Sequence, residues 1–215
     1  TGQVWADPLT GGLYWKVYRN TGAGFATSPI LWTVPSSSVA EGFFAASSAV
    51  KFRHWATFDL DGDRRPDLVH TANPATNQPW NAAIGAPAWR VYRNTGAGFS
   101  TSPFLWPVPP SPGLALPEGY NARDSAAWST IDLEGDNLPD LVLTSSNSVV
   151  FGQSGTPHWR IHKNLGNAFA SSFSTWLVPA SGLADGFTTP SSSASPRFWA
   201  TLDLDGDGRR DLVHT

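Results

Sequence analysis

Cysteine and methionine are both absent from the 215 residues of this chain. The first absence excludes disulfides, thiol nucleophiles and cysteine-ligated metals. Long apolar runs are missing too. No stretch approaches the roughly 18 uninterrupted apolar residues of a membrane-crossing helix, so no membrane insertion is expected. Thr1 is not followed by a charged n-region and an apolar h-region, and no signal peptide is expected within this sequence. Charge is scarce, with Asp, Glu, Lys and Arg at 14%, and the basic residues form no stripe. Nucleic acid is therefore not an expected partner. No segment sustains the helical apolar period with good helix formers.

What is present is 20 Gly, 18 Pro and 11 Trp, with a surface that must rely on Ser, Thr, Asn and Gly for solubility. Such usage suits an extracellular all-β protein. It is arranged in three copies. YWKVYRNTGAGFATSPILWTVP begins at Tyr14, AWRVYRNTGAGFSTSPFLWPVP at Ala88 and HWRIHKNLGNAFASSFSTWLVP at His158. A Ser/Pro/Gly-rich stretch follows each, and then HWATFDLDGD, AWSTIDLEGD or FWATLDLDGD. Residues 1–215 thus read as a single repeat domain, with repeats at approximately 1–70, 71–143 and 144–215.

Each copy predicts four short strands. WRVYRN alternates and is rich in aromatic and β-branched residues. The TGAG segment is a turn, because its glycines tolerate positive φ. SPFLWPVP is a second strand, which its prolines place at an edge. AWSTIDL and PDLVLT supply the third and fourth. Residues 36–50, 107–125 and 180–196 are expected to be loops, the first with room for a short helical turn. Four-stranded units repeated around an axis make an all-β propeller. Three blades are too few to close, so the chain is expected to be a fragment of a larger propeller or to share a six-bladed ring with a second chain. In the shared ring, the last two strands of one chain pair with the first two of its neighbour, removing exposed strand edges.

Twelve of the 17 acidic residues lie in three loops of pattern D-x-D-G-D-x-x-x-D. These are Asp59, Asp61, Asp63 and Asp67; Asp132, Glu134, Asp136 and Asp140; and Asp203, Asp205, Asp207 and Asp211. The spacing resembles the early part of an EF-hand loop, where alternate carboxylates and one backbone carbonyl bind calcium. The backbone donors would be Arg65, Leu138 and Arg209. Calcium takes six to eight hard oxygens at about 2.3–2.6 Å, which four acids, a carbonyl and water supply. Without a cation the four carboxylates repel, and some must take up protons. About three Ca2+ ions per chain are expected, and their six charges would move the formal charge from -3 to near +3. In the middle loop Glu134 replaces an aspartate, and Asn137-Leu138 stands where the first loop has Arg64-Arg65. This site is expected to be the most distinct and the weakest.

Catalysis is not expected. Acid–base carboxylate pairs need two different environments in one site, not one loop in three places. No phosphate-binding glycine loop, Walker motif, G-x-S-x-G or H-E-x-x-H is present. His54, His158 and His162 follow no catalytic pattern. His70 and His214 occupy matching positions, but the second copy has Leu143 there.

Nine tryptophans fall into three repeated sets, and Trp5 and Trp80 lie in the connections. Trp55, Trp128 and Trp199, and also Trp15, Trp89 and Trp159, are read as packing. Trp32, Trp106 and Trp176 admit two readings. One is packing between blades. The other is sugar binding, with indole faces stacked on pyranose rings beside Arg19, Arg93 and Lys163, and weak sites strengthened by repetition. Asn20, Asn94 and Asn164 are expected to cap the following turn. Connections 72–87 and 145–157 are further candidates for shaping pockets.

The motif F-D-L-D-G-D-x-x-P-D-L-V at Phe58–Val69, recurring at Ile131–Val142 and Leu202–Val213, resembles the calcium loop of FG-GAP/VCBS repeats in integrin-α-type β-propellers. The WRVYRNTGAGF segments look like the outer half of the same repeat in secreted bacterial proteins, including toxin-associated ones. The resemblance implies a secreted or cell-surface, calcium-stabilised propeller without enzymatic activity. Its similarity to calcium-containing propeller lectins implies a carbohydrate or glycoprotein ligand bound multivalently. The alternative is an adhesion or scaffold module that recognises protein within a larger secreted or toxin-like protein. A homo-oligomer, such as a dimer, is expected. Two departures stand out: the repeat is longer than the family's usual unit, and the copies are fewer than its usual ring.

Overall fold

The computed structural model describes residues 5–6, 12–35, 55–71, 80–81, 87–109, 128–144, 158–179 and 199–214, and all structural statements concern these. They contain fourteen strands and no helix. The expected loops at 36–50 and 180–196, the pocket-shaping connection 145–157 and most of 72–87 lie outside them. So do 110–125 of the expected loop 107–125, whereas Pro107 still belongs to a strand.

Strands β1 (Trp5–Ala6), β2 (Leu13–Val17) and β3 (Ile30–Thr33) form a three-stranded sheet. Strands β4 (Trp55–Phe58), β5 (Asp67–His70), β6 (Trp80–Asn81), β7 (Pro87–Tyr92) and β8 (Phe104–Pro107) form a five-stranded one. Strands β9 (Trp128–Ile131), β10 (Asp140–Leu143), β11 (His158–His162) and β12 (Ser174–Leu177) make a four-stranded sheet, and β13 (Trp199–Leu202) with β14 (Asp211–His214) a two-stranded one. Pairing between strands is antiparallel throughout. Strands β3, β8 and β12 stand at sheet edges, each laddered to one neighbouring strand, and of the three only β8 contains a proline, Pro107.

The sheets straddle the sequence repeats. The acidic hairpin β4–β5 belongs to the first copy, yet β5 pairs with β7 of the second, aligning Leu68 with Tyr92 and Val69 with Val91. Likewise β10 of the second copy pairs with β11 of the third, aligning Leu141 with His162 and Val142 with Ile161. The hydrophobic pattern drives this union. Every residue of DLVH in β5 and of DLVL in β10 is buried, so both strands must be covered on both faces and both edges. The short strands β1 and β6, which the sequence pattern did not reveal, pair with the first residues of β2 and β7.

Successive sheets pack face against face through three apolar clusters. Val34, Leu68, Tyr92 and Phe99 join the first sheet to the second, with Trp15 and Trp32 against them. Val69, Trp89, Trp106, Trp128, Leu141 and Phe169 join the second to the third. Leu133, Val142, Trp159 and Ile161 meet Leu212 of the fourth. A buried tryptophan such as Trp89 removes about 150–250 Å² from water, worth up to about 4–6 kcal/mol.

One phenylalanine marks each of the first two junctions. Phe99 meets Trp15 and Trp32 edge-on, with centroids 5.4 and 6.0 Å away, and its N–H donates to the Thr33 carbonyl at 2.8 Å. Phe169 meets Trp89 and Trp106 at 5.3 and 5.9 Å, and its N–H donates to the Pro107 carbonyl at 3.1 Å. Gly98 permits the first junction, because a Cβ there would lie 2.7 Å from the Thr33 Cβ and 2.9 Å from its nitrogen.

Candidate metal centre

The three acidic loops connect β4 to β5, β9 to β10 and β13 to β14. Each folds around its first aspartate. Asp59 Oδ1 accepts the N–H groups of Gly62 and Asp63 at 2.9 and 3.0 Å, and Oδ2 that of Arg64 at 2.6 Å. Asp132 takes the N–H groups of Gly135, Asp136 and Asn137 at 2.8, 3.2 and 3.0 Å. Asp203 takes those of Gly206 and Gly208 at 2.8 and 3.0 Å. The fifth residue of each loop then caps the turn: Asp63, Asp136 and Asp207 accept the N–H groups of Arg65, Leu138 and Arg209 at 2.8, 2.9 and 2.8 Å.

This winding needs a left-handed residue at two places. Gly62, Gly135 and Gly206 have φ of 76°, 76° and 79°. Arg64 and Asn137 have φ of 68° and 67°, and Gly208, at the same loop position, 88°. Gly135 also has no room for a side chain, since its Cβ would sit 2.2 Å from the Gly208 carbonyl oxygen. The second and third loops therefore touch, and the first lies against the second, because a Cβ on Gly62 would be 2.9 Å from Leu138 Cδ2. The acidic loops stand side by side along one end of the sheet series.

Asp59, Asp61 and Asp63 each bring a carboxylate oxygen within 4.8 Å of the others, as do Asp203, Asp205 and Asp211. Among the described residues the middle loop gathers no such trio. There the Lys163 ammonium pairs with Glu134 and lies 4.0 Å from Asp136. In the first loop Arg93 takes this place, 3.4 Å from Asp61. Arg65 pairs with Asp63 at 2.6 Å, and Arg209 with Asp207. Hydrogen bonding to Arg209 holds Asp207 below the usual carboxylate range. For Asp63, desolvation pushes upward but the N–H and guanidinium of Arg65 outweigh it.

The ninth-position aspartates behave differently. Asp67 and Asp140 are buried, and burial raises both from 3.8 to about 6. For Asp67 the N–H of Asn94 opposes the rise, while the charges of Asp61, Asp63 and Asp59 add to it. For Asp140 the N–H of Asn164 and the charge of Lys163 oppose, and Glu134 and Asp136 add. Asp67 Oδ1 accepts the Asn94 N–H at 2.9 Å, but its buried Oδ2 has no hydrogen-bond partner. A buried carboxylate oxygen without a donor is costly unless a proton or a hard cation takes it up.

The asparagines bind more than their own turns. Asn20, Asn94 and Asn164 each accept the N–H two residues on, at 2.8, 2.9 and 2.8 Å, as expected of turn caps. Asn94 and Asn164 also clamp the acidic loops. Their main-chain N–H groups reach Asp67 and Asp140, and their side-chain amides donate to the Pro66 and Pro139 carbonyls at 3.0 and 3.1 Å. Asn164 further donates to the Leu60 carbonyl at 2.9 Å, tying the first acidic loop to the third sheet. Sequence reasoning missed this role, although asparagine stands at the same place in all three copies.

The tryptophan set proposed for sugar is not presented alike. Trp106 is fully buried against Phe104 and Phe169, Trp32 is half-buried against Phe99, and Trp176 is exposed. Arg93 and Lys163 turn to the acidic loops, and Arg19 is exposed. His70 is buried and stacks on Trp55 at 3.8 Å, and His162 packs near Trp128 with Nδ1 2.9 Å from the Ala170 carbonyl oxygen. Burial lowers His162. Arg90 lies 3.4 Å over the Trp80 ring, a cation–π contact.

No family model matches the chain, and no curated protein matches it. A solved structure of the Photorhabdus luminescens Tc holotoxin pore contains a chain similar in fold, at a TM-score of 0.51 and 21% identity. The likeness covers 92% of the present chain and 7% of that chain's length, and it is a likeness of fold.

Proposed function

We propose that the chain is a calcium-stabilised, non-catalytic propeller module of the FG-GAP/VCBS type, acting as a protein-recognising scaffold within a larger secreted, toxin-like protein. The observation that carries the calcium reading is the buried, partnerless Oδ2 of Asp67 beside the Asp59, Asp61 and Asp63 trio. Asp59, Asp61, Asp63, Asp67 and the Arg65 carbonyl would hold the ion in the first loop. Asp203, Asp205, Asp207, Asp211 and the Arg209 carbonyl would do so in the third. Asp132, Glu134, Asp136, Asp140 and the Leu138 carbonyl would form the middle site, where Lys163 already compensates part of the charge. A bound cation removes the mutual repulsion of the acids and keeps the hairpins wound.

The similarity in fold to part of a toxin pore assembly supports the toxin-like setting. Among the described residues no helix is long and apolar enough to cross a membrane. Carbohydrate binding takes second place, because Trp106 offers no face to a ligand and Trp32 is half covered. A glycan array run with and without a chelator separates the two readings. Silence on the array with a calcium-dependent melting temperature supports the scaffold. Calcium-dependent glycan binding lost on Trp176→Ala restores the lectin.

A further inference from the structure

We propose that the first and second acidic loops take up their cations as a coupled pair, the first loop filling first and shaping the second through Asn164. This rests on the calcium reading above and adds to it an order of loading and a linking residue.

The first loop carries its own sign of a ligand. Asp67 is 1% exposed, and its Oδ2 has no hydrogen-bond partner. Asp59, Asp61 and Asp63 already bring carboxylate oxygens within 4.8 Å of one another, whereas among the described residues the second loop gathers no such trio. There Glu134 pairs with Lys163 instead. The first loop is thus close to the shape that holds a cation, and the second has that shape still to gain.

Two contacts join the loops. One is Asn164, itself buried. Its side-chain nitrogen donates to the Leu60 carbonyl at 2.9 Å and to the Pro139 carbonyl at 3.1 Å. Leu60 stands between Asp59 and Asp61, and Pro139 between Leu138 and Asp140. The main-chain N–H of Asn164 donates to Asp140 Oδ1, and its side-chain oxygen accepts the Gly166 N–H. Turning the amide to release one loop would leave buried groups without partners. The other contact is Leu138. Its carbonyl is a candidate ligand of the second loop, and its side chain covers Gly62 in the first. A Cβ on Gly62 would lie 2.9 Å from Leu138 Cδ2 and 3.5 Å from the Asn137 carbonyl oxygen. Gly62 is a left-handed turn residue of the first loop. Residues 137–140 therefore cannot shift independently of residues 60–62.

The sign of the coupling follows. A cation held by Asp67 and the trio fixes the first loop, and with it the Leu60 carbonyl and the face of Gly62. Asn164 and Leu138 then rest on a rigid surface, and Asp140 and the Leu138 carbonyl are held with them. Part of the ordering of the second loop is complete before its own cation arrives, so that cation binds more tightly. Charge acts the other way, because one dication repels another. Salt screens that repulsion but leaves the buried hydrogen bonds in place. Added salt should therefore increase the coupling, to a factor above one that repulsion alone can never reach.

Calorimetric calcium titrations of the full chain, with the third loop silenced by Asp205→Asn, test this. Three versions are compared: both remaining loops intact, Asp136→Asn to isolate the first, and Asp61→Asn to isolate the second. The two-ion constant of the intact pair should exceed the product of the two single-loop constants by about fivefold or more. Asn164→Ala should bring that ratio to about one. A merely structural Asn164 would lower stability and leave the ratio untouched. If circular dichroism shows that Asn164→Ala does not fold, Leu138→Ala is used, which trims a half-buried side chain and keeps the carbonyl. It should lower the ratio about twofold or more. A ratio of one or less, or a ratio unchanged in the variant that folds, overturns the coupling and leaves calcium binding standing. No calcium uptake by any version overturns the calcium reading and the coupling together.

Discussion

The main-chain N–H of Asn164 donates to Oδ1 of Asp140 at 2.8 Å, across 24 residues of sequence. That bond joins an acidic loop of one repeat to the first turn of the next, and the Asn94–Asp67 bond does the same one repeat earlier. Sheet pairing and loop geometry are therefore coupled. Asn164 also uses both ends of its buried side-chain amide. Asn164→Ala should leave the Leu60 and Pro139 carbonyls without this donor and cost about 3 kcal/mol. Urea denaturation measures it, and a loss under about 1 kcal/mol would show that the clamp is dispensable.

The phenylalanine after each repeat's first turn gives a second contrast. Phe99→Ala empties a buried site between two tryptophans and should destabilise by about 3–5 kcal/mol. Phe25→Ala, at the same repeat position but exposed, should change stability by less than about 0.5 kcal/mol. Equal losses in the two variants would contradict the packing described.

Backbone strain at the loop glycines separates space from conformation. Gly206→Ala meets no neighbour and bears only the left-handed penalty of about 1–2 kcal/mol. Gly135→Ala bears that penalty and drives a methyl into the Gly208 carbonyl, so it should cost distinctly more, by about another 1–3 kcal/mol. Thermal melts of the two variants give the order. A milder effect at Gly135 would mean that the second and third loops do not touch.

Asp67 and Asp140 give the metal-free chain an inverted pH response. Burial raises both from 3.8 to about 6. Between those values the folded chain binds protons more tightly than the unfolded one, so these two groups lower stability as pH rises through the window. In buffer stripped of calcium, the chain should melt higher at pH 5 than at pH 7. With saturating calcium the order should reverse, because a metal-bound carboxylate must be deprotonated. A stripped chain that melts lower at pH 5 contradicts this reading.

Much of the fold was legible because it is written three times. The alternation in WRVYRN, the glycine turns and the DLV runs located the principal strands, and the expected edge position of β3, β8 and β12 holds although only β8 contains a proline. Less legible was which tryptophans are covered. Trp32, Trp106 and Trp176 share one sequence position, yet their burial follows from whether a phenylalanine from the next repeat reaches them. The two-residue strands β1 and β6 carry no periodic signal at all. The acidic residues were found by spacing alone, but their inequality was not. Spacing cannot show that Asp67 is buried with one oxygen unpartnered or that Lys163 turns onto Glu134.

Calcium is the centre of this account, and a calcium titration of the stripped chain, followed by calorimetry and by melting temperature, tests it most directly. The expected result is about three ions per chain, with the middle loop weakest. At about 1 mM calcium and a dissociation constant of ~0.1 mM, each site should add about 1.4 kcal/mol of stability. No heat of binding, no retained calcium and an unchanged melting temperature would contradict it.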